Sequence, residues 1–264
     1  MIARRKSIFR LLMLSVLGAW TFLLPAQEID IGNDNKPIEE KIVYNHKNVL
    51  SLAIHSQGFG LGFKIGRIKS INKTVNWEAE VVSLHSLKEI KTISASNYYT
   101  RPYTYGKLNS VFVARFGYGQ ERRIYGKPYW GGIETSWTYE VGASLALMKP
   151  YYYYVVVFRP DGEGSYVEVI DEQTFENHEQ WQLIFGRSAF TKGLNELKLS
   201  PGAHASLGLC FEFGKQRTRA QSLNVKVIAE GFPMGVPIMD GQRNKWFYLT
   251  FHLSYNWGSR FNKY

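Results

Sequence analysis

The sequence is poor in cysteine, in acidic residues and in long apolar runs. Cys210 is the one cysteine among 264 residues, which excludes an intrachain disulfide and a cysteine-rich metal site. A mean hydropathy of −0.24 excludes a bundle of membrane-spanning helices. The 22 acidic residues face 32 basic ones, and the net charge of +10 is compatible with nucleic acid, an anionic membrane or a basic surface. An apolar content of 45% is enough for a folded core.

The first 26 residues are organised like a cleaved secretory signal peptide. The amino-terminal end carries four basic side chains and no acidic one: Arg4, Arg5, Lys6 and Arg10. Residues 11–24 are uncharged and end at Pro25-Ala26, and this run is shorter than the ~20 residues that a spanning helix needs. We therefore predict a signal peptide at 1–26 and a polar periplasmic extension at 27–47. Export also argues against nucleic acid as a partner.

After the extension, apolar and polar residues alternate with a period of two. In 247–257, Phe, Leu, Tyr and Trp side chains occupy one phase, and mainly Thr, His, Ser and Asn occupy the other. Alternation of this kind predicts a β-strand. Similar runs predict eight strands, near 49–55, 59–66, 75–81, 110–118, 137–145, 203–213, 223–230 and 247–257. No amphipathic helix of convincing length separates these runs.

The pattern favours a barrel that crosses a membrane, since such barrels have an even number of antiparallel strands of ~9–11 residues. The polar phase mixes Gly, Ser and Thr with charges of both signs, which suits a narrow interior. Connections are short near 69–74, 120–132 and 215–221 and long at 85–107 and 149–202. Aromatic residues at strand ends predict an interfacial belt: Trp137, Trp246, Tyr248, Tyr255 and Trp257.

We predict an all-β protein, an eight-stranded antiparallel transmembrane β-barrel at 48–264 with long outer loops, in the bacterial outer membrane. A soluble periplasmic barrel that binds a small ligand is the alternative, and its apolar phase would face inward.

Three stretches carry a family resemblance: GFGLGF at 58–63, TKGLNELKLSPG at 191–202 and YNWG at 255–258. With them, the mature chain resembles the small outer-membrane β-barrels of Bacteroidota, the group that contains the PorT-type proteins linked to type IX secretion. The resemblance implies a fold and a location rather than an activity.

The polar phase supplies charges that we expect to form a network in the barrel interior: Lys64, Glu78, Glu80, Arg115, Glu140, Glu212, Lys226 and Glu230. Side chains just fill an eight-stranded barrel, and buried charges must be paired, so these residues predict a filled interior without an open pore.

Two His-x-Ser pairs are the weak catalytic candidates: His204 with Ser206, and His252 with Ser254. Each pair places an imidazole and a hydroxyl on one strand face, as nucleophilic catalysis requires. Some lipid A deacylase barrels carry such a pair facing the lipid. Here both pairs fall in the polar phase, which favours packing in the interior over a lipid A-modifying hydrolase.

Charge is separated between the two ends. Eleven basic residues near the short turns and the carboxyl-terminal end face one acid, Glu121: Arg67, Lys69, Lys73, Arg122, Arg123, Lys127, Lys215, Arg217, Arg219, Arg260 and Lys263. Residues 161–180 carry seven acidic side chains and no basic one, without the Asp-x-Asp-x-Asp spacing of a calcium loop. The apolar stretch 151–158 predicts an extension of the fifth strand that could pack on a partner.

From these observations we predict a protein without enzymatic activity, metal or cofactor. Its role would be structural or accessory within a secretion or outer-membrane assembly machine. Its expected partners are outer-membrane lipids and envelope proteins.

Overall fold

The computed structural model describes residues 44–93, 101–126, 132–160, 166–176, 183–213, 218–241 and 245–262. The predicted signal peptide and most of the predicted extension lie outside these ranges. The described strands are, in chain order, β1 (His46–His55), β2 (Gly58–Ser70), β3 (Lys73–Leu84), β4 (Lys91–Thr92), β5 (Tyr103–Thr104), β6 (Asn109–Tyr125), β7 (Glu134–Pro150), β8 (Tyr152–Pro160), β9 (Tyr166–Thr174), β10 (Ile184–Arg187), β11 (Lys198–Glu212), β12 (Arg219–Gly231) and β13 (Phe247–Phe261). A 3-10 turn covers Leu194–Glu196.

Eight of these strands close into an antiparallel barrel in the order β1-β13-β12-β11-β7-β6-β3-β2. Closure comes from β1 and β13, which pair continuously from His46 opposite Phe261 to His55 opposite His252. A closed barrel satisfies the backbone of every strand and leaves no exposed sheet edge. The predicted eight-stranded antiparallel barrel is therefore confirmed. Within the described ranges, no helix is long and apolar enough to cross a membrane.

The barrel is polar inside and apolar outside. On β13, Thr250, His252 and Ser254 point inward and are at most 2% exposed, whereas Phe251 and Leu253 point outward and are 65% and 46% exposed. The same alternation holds around the wall, where Phe, Leu, Ile and Val side chains form the outer surface. A soluble barrel has the opposite arrangement, with its apolar residues inside. This wall is built to face lipid.

The two ends of the barrel differ in their connections. One end has the turns 71–72, 126–133 and 213–218, and both the first and the last barrel strand have their chain-terminal ends there. The other end has a two-residue turn at 56–57 and three long connections, 85–108, 151–197 and 232–246. Short turns face the periplasm in outer-membrane barrels and long loops face outward. We call these the inner end and the outer end.

The stretch 151–158 does not lengthen the fifth barrel strand, and that prediction is wrong. The β6 strand begins at Asn109, opposite Pro150 at the end of β7, so the chain has no barrel neighbour beyond this pair. The chain instead leaves the wall, and β8 pairs with β9 and β10 in a separate three-stranded sheet. We call this sheet the cap. Part of the acidic loop 161–180, including Asp161, Glu163 and Glu179, lies outside the described residues.

The first part of the connection between β12 and β13, residues 232–238, closes the outer mouth of the barrel. Phe232, Val236 and Ile238 are almost fully buried there. They pack against apolar side chains that point inward from the ends of the barrel strands: Val82, Leu84, Val111, Val113, Ala146, Met148 and Tyr248. We call Phe232, Val236 and Ile238 the plug. The sequence pattern does not predict this closure.

Candidate functional site

The interior below the plug is filled by a chain of ion pairs that begins at the inner end. Arg260 donates to both carboxylate oxygens of Glu212, at 2.5 and 2.6 Å. Lys47 Nζ lies 3.5 Å from Glu212 and 3.4 Å from Glu121. Glu121 in turn lies 3.8 Å from Lys64 Nζ. Acidic and basic groups therefore alternate from the inner end of this series of ion pairs.

The alternation continues upward through the middle of the barrel. Lys64 Nζ lies 3.0 Å from Glu78, and Lys226 Nζ donates to both oxygens of Glu78 at 2.9 Å. Lys226 also reaches Glu140 at 3.4 Å, and Glu140 lies 3.5 Å from His204 Nε2. Each carboxylate in this section contacts at least two polar groups, as buried charges require.

The upper section is centred on Arg115. Its Nε and one terminal nitrogen donate to the two oxygens of Glu230 at 2.8 Å, a bidentate pair. Its other terminal nitrogen donates to Glu80 at 3.0 Å, and Glu80 accepts from His252 Nε2 at 2.7 Å. Ser144 donates to Glu230 at 3.1 Å. We call the whole series of ion pairs and hydrogen bonds, from Arg260 to His252, the ladder.

The structure places the predicted interior charges together, because all eight belong to the ladder. Four further members of the ladder are not predicted by the sequence pattern: Lys47, Glu121, Arg260 and Ser144. Lys47 had been assigned to the extension 27–47, but the barrel begins at His46, so the predicted boundary at residue 48 is too late. The sequence count places Glu121 on the basic rim, but its side chain points inward. Lys47 and Glu121 both belong to the inward phase of their strands.

The ladder contains five side chains with a fixed positive charge and six carboxylates: Lys47, Lys64, Arg115, Lys226 and Arg260, against Glu78, Glu80, Glu121, Glu140, Glu212 and Glu230. The cavity beside Lys64, Glu140 and Lys226 measures about 10 Å³, room for about one water molecule.

Neither His-x-Ser pair forms a contact between its own two members. His204 Nδ1 lies 3.0 Å from Ser144 Oγ, whereas Ser206 donates to Glu140 at 3.4 Å. His252 contacts Glu80, and Ser254 is 2% exposed. All four side chains face the interior. Within the described ranges, no group of three or more His, Cys, Asp and Glu side chains could hold a metal ion.

The predicted aromatic belt is placed on the outer wall except for one member. Trp137, Tyr255 and Trp257 lie near the inner end and Trp246 at the outer end, all with at least 40% exposure. Tyr248 is 2% exposed, and its hydroxyl donates to Val236 O at 2.7 Å. Its assignment to the belt is wrong, because it shares the inward phase of β13 and closes the plug from below.

The inner rim is basic, although less so than the sequence count suggests. Arg67, Lys69, Arg122 and Arg219 are exposed there. Arg123 pairs with Glu134 at 3.0 Å, and Arg260 is held by Glu212. Four other residues of the predicted basic set lie outside the described ranges: Lys127, Lys215, Arg217 and Lys263.

The cap is held to the connection 85–108 by Tyr153, which is fully buried among Tyr103, Tyr151 and Phe175. Its hydroxyl donates to Thr104 O at 2.7 Å and accepts from the Lys107 N–H at 2.9 Å. Burial raises the pKa of this hydroxyl well above its ordinary value, so it remains a neutral donor.

No protein-family model matches the chain, and no curated protein matches its sequence. The chain is similar to the crystal structure of Neisserial surface protein A (NspA), at 9% identity and a TM-score of 0.39, over 82% of this chain and 96% of that one. It is also similar to Ail, the attachment invasion locus protein of Yersinia pestis, at 8% identity and a TM-score of 0.35, over 82% and 95%. These likenesses concern the fold alone.

The chain is a small outer-membrane β-barrel. Its closed eight-stranded wall, the apolar outer face and the polar interior carry this conclusion. The interior is occupied by the ladder and the plug, so the accessible chemistry lies on the cap, the rims and the outer wall.

Proposed function

We propose that the protein acts without enzymatic activity as a structural or accessory component of a cell-envelope machine. Its work would be done by the cap and the rims, in protein secretion or in outer-membrane assembly. We also propose kinship with the PorT-like barrels of Bacteroidota, on the three sequence stretches given above.

The observation that carries this proposal is the double closure of the interior. The ladder fills the barrel from the inner end up to the plug, and the plug covers the outer mouth. A barrel filled in this way has no path for a solute, which leaves its ends and its surface as the parts that can act.

The cap offers a surface for a protein partner. Phe158 on β8 and Ile170 on β9 are 51% and 54% exposed, and the strand pairing puts them on the same face of the cap. Exposed apolar side chains on one face of a sheet are typical of protein contacts. The exposed basic side chains of the inner rim suit an acidic periplasmic partner or anionic lipid headgroups.

Co-purification tests the proposal. The tagged protein would be extracted from outer membranes in mild detergent, and its complexes would be analysed by native mass spectrometry. We expect a stoichiometric protein partner that is lost from a Phe158→Ser/Ile170→Ser variant and retained by Leu87→Ser, which changes another exposed loop residue. A barrel that migrates alone, or a partner retained by both variants, would contradict the proposal.

A lipid A-modifying hydrolase is the second candidate, because one group of three side chains in the interior favours it. Ser144 Oγ, His204 and Glu140 follow each other at 3.0 and 3.5 Å, which is the order of nucleophile, base and carboxylate in a catalytic triad. Against it, Ser144 is 3% exposed and also donates to Glu230. Lipid A from a strain that lacks the protein decides the matter, since unchanged acylation rejects the hydrolase.

A further inference from the structure

A cavity of about 300 Å³ lies on the outer side of the barrel wall, under the cap. Ser83, Phe112 and Lys149 border it from the barrel, and all three belong to the outward phase at the outer ends of β3, β6 and β7. Tyr152 and the segment 187–190 cover it from the cap side. The cavity is therefore separate from the ladder and lies where the wall leaves the lipid.

Positive charge is in excess around the cavity, which is lined by five basic side chains and one acid, Glu89, besides the His85 imidazole: Lys91, Arg101, Lys107, Lys149 and Arg187. Lys107 already neutralises Glu89, at 2.7 Å. Lys149 is only 4% exposed, and its Nζ donates to Lys192 O at 2.8 Å. Among the described residues, no carboxylate lies within ion-pair distance of Lys149. A buried cation without a counterion is costly, so this arrangement favours a bound anion.

A shallow apolar furrow of about 710 Å³ runs along the outer wall below the cavity. Its floor includes the small side chains Ala79, Ala114 and Ala143 on β3, β6 and β7, and Phe63 and Leu145 stand along it. The same three strands border the cavity, and the step from Phe112 to Ala114 is two residues, or about 7 Å along a strand. The cavity and the furrow are therefore neighbours along the same three strands.

We propose that the cavity and the furrow together bind one phosphate-bearing lipid of the outer leaflet. The phosphorylated headgroup would lie among Lys149, Arg101 and Arg187, which offer the multiple N–H donors that phosphate oxygens accept. An acyl chain would lie along the furrow over Ala114 and Ala143. The cavity is large enough for a phosphorylated sugar. This site is independent of the proposed protein partner.

Native mass spectrometry of the refolded full chain in phosphatidylcholine nanodiscs tests the headgroup contacts. The nanodiscs would contain a small fraction of lipid A, either phosphorylated or chemically dephosphorylated. We expect one phosphorylated lipid A per barrel, with occupancy at least about tenfold lower in Lys149→Gln/Arg187→Gln, because charge-assisted hydrogen bonds to phosphate are lost. Lys198→Gln, an exposed lysine at the same end, is the matched control. The proposal is overturned if dephosphorylated lipid A binds as well as phosphorylated lipid A. It is also overturned if the double variant binds phosphorylated lipid A as well as the wild type does.

The furrow is tested separately. Ala114→Phe fills it and should lower lipid A occupancy several-fold, whereas Ala229→Phe, on the outward phase of β12, should not. Glucosamine 1-phosphate distinguishes a soluble ligand from a lipid: binding of this sugar as tight as that of lipid A would overturn the lipid assignment. Heat-modifiable gel migration confirms folding of each variant, and Arg101→Gln, an exposed position, replaces the double variant if that variant does not fold.

Discussion

Arg115 is the side chain on which the upper part of the ladder depends. It holds Glu230 through two hydrogen bonds and Glu80 through a third. Glu230 is fully buried and Glu80 nearly so, so neither carboxylate can be hydrated if the guanidinium is removed. The stability of the barrel should therefore depend far more on this pairing than on any ion pair of the cap.

We expect Arg115→Met to lower the free energy of unfolding by about 3–5 kcal/mol, because it leaves buried carboxylates without their counterion. The matched change is Arg159→Ala, which breaks the exposed cap pair between Arg159 and Asp171 and should change stability by at most about 1 kcal/mol. Urea unfolding in phospholipid vesicles measures both. Equal effects of the two substitutions would show that the ladder is not the stabilising element described here.

Gly117 makes room for the ladder. A methyl group added to Gly117 would overlap the carboxylate of Glu140, which belongs to the next strand. We expect Gly117→Ala to displace Glu140 from Lys226 and to lower stability by about 1–3 kcal/mol, the usual range for overpacking. Gly231→Ala is the control, since a methyl group there meets no atom within 4 Å. The same vesicle unfolding assay compares them, and a loss of stability in the control alone would be contrary to the packing argument.

The cap is an element with its own small core. Tyr153, Val155 and Ile184 pack together above the barrel wall, and the hydroxyl of Tyr153 connects the cap to the backbone of the loop at Thr104 and Lys107. Because these contacts do not involve the ladder, the cap should open without unfolding of the barrel.

We expect Tyr153→Phe to lower the local stability of the cap by about 0.5–1.5 kcal/mol, since it removes the hydroxyl that bonds Thr104 O and the Lys107 N–H and leaves these two groups only their longer mutual hydrogen bond of 3.4 Å. Amide hydrogen exchange would then increase in β8, β9 and β10 and remain unchanged in β12 and β13. Tyr166→Phe, at a 73% exposed tyrosine of the cap, should have no effect. Faster exchange throughout the barrel would mean that the cap and the wall unfold as one unit.

The barrel strands could be predicted from the sequence, whereas the cap and the plug could not. Alternation is a local signal, and on β13 it gives both the strand and its two faces. The cap strand β8 is apolar in both phases, although only the face with Tyr153 and Val155 is fully buried, so its sequence resembles a continuation of β7. Phe232, Val236 and Ile238 are buried only because the barrel mouth surrounds them, and nothing in the local sequence pattern indicates this.

Only part of the candidate site could be predicted, because alternation is a local signal here too. Phase identifies the charges in the middle of each strand, but Lys47 and Glu121 lie just beyond the predicted strands at 49–55 and 110–118. Tyr248 illustrates the reverse error: its position near a strand end suggested the belt, whereas its phase placed it inside. The cavity under the cap depends on three strands and two loops meeting, which no spacing in the sequence encodes.

On the scale of the whole molecule, two different kinds of interaction close the barrel. The inner part is closed by ion pairs, which are strong only while each charge keeps its partner, and the outer mouth is closed by apolar packing. The two closures are separated along the axis and share few side chains. Removal of one should leave the other in place.

We therefore expect no ion conductance from the protein in planar lipid bilayers, either as wild type or as a Phe232→Ala/Val236→Ala variant with a weakened plug. In that variant the ladder still fills the interior from Arg260 to Arg115, and an eight-stranded barrel leaves no space beside such side chains. Heat-modifiable migration would verify that the variant is folded. Discrete channel openings in the variant alone would show that the plug is the real barrier, and openings in the wild type would contradict the filled interior altogether.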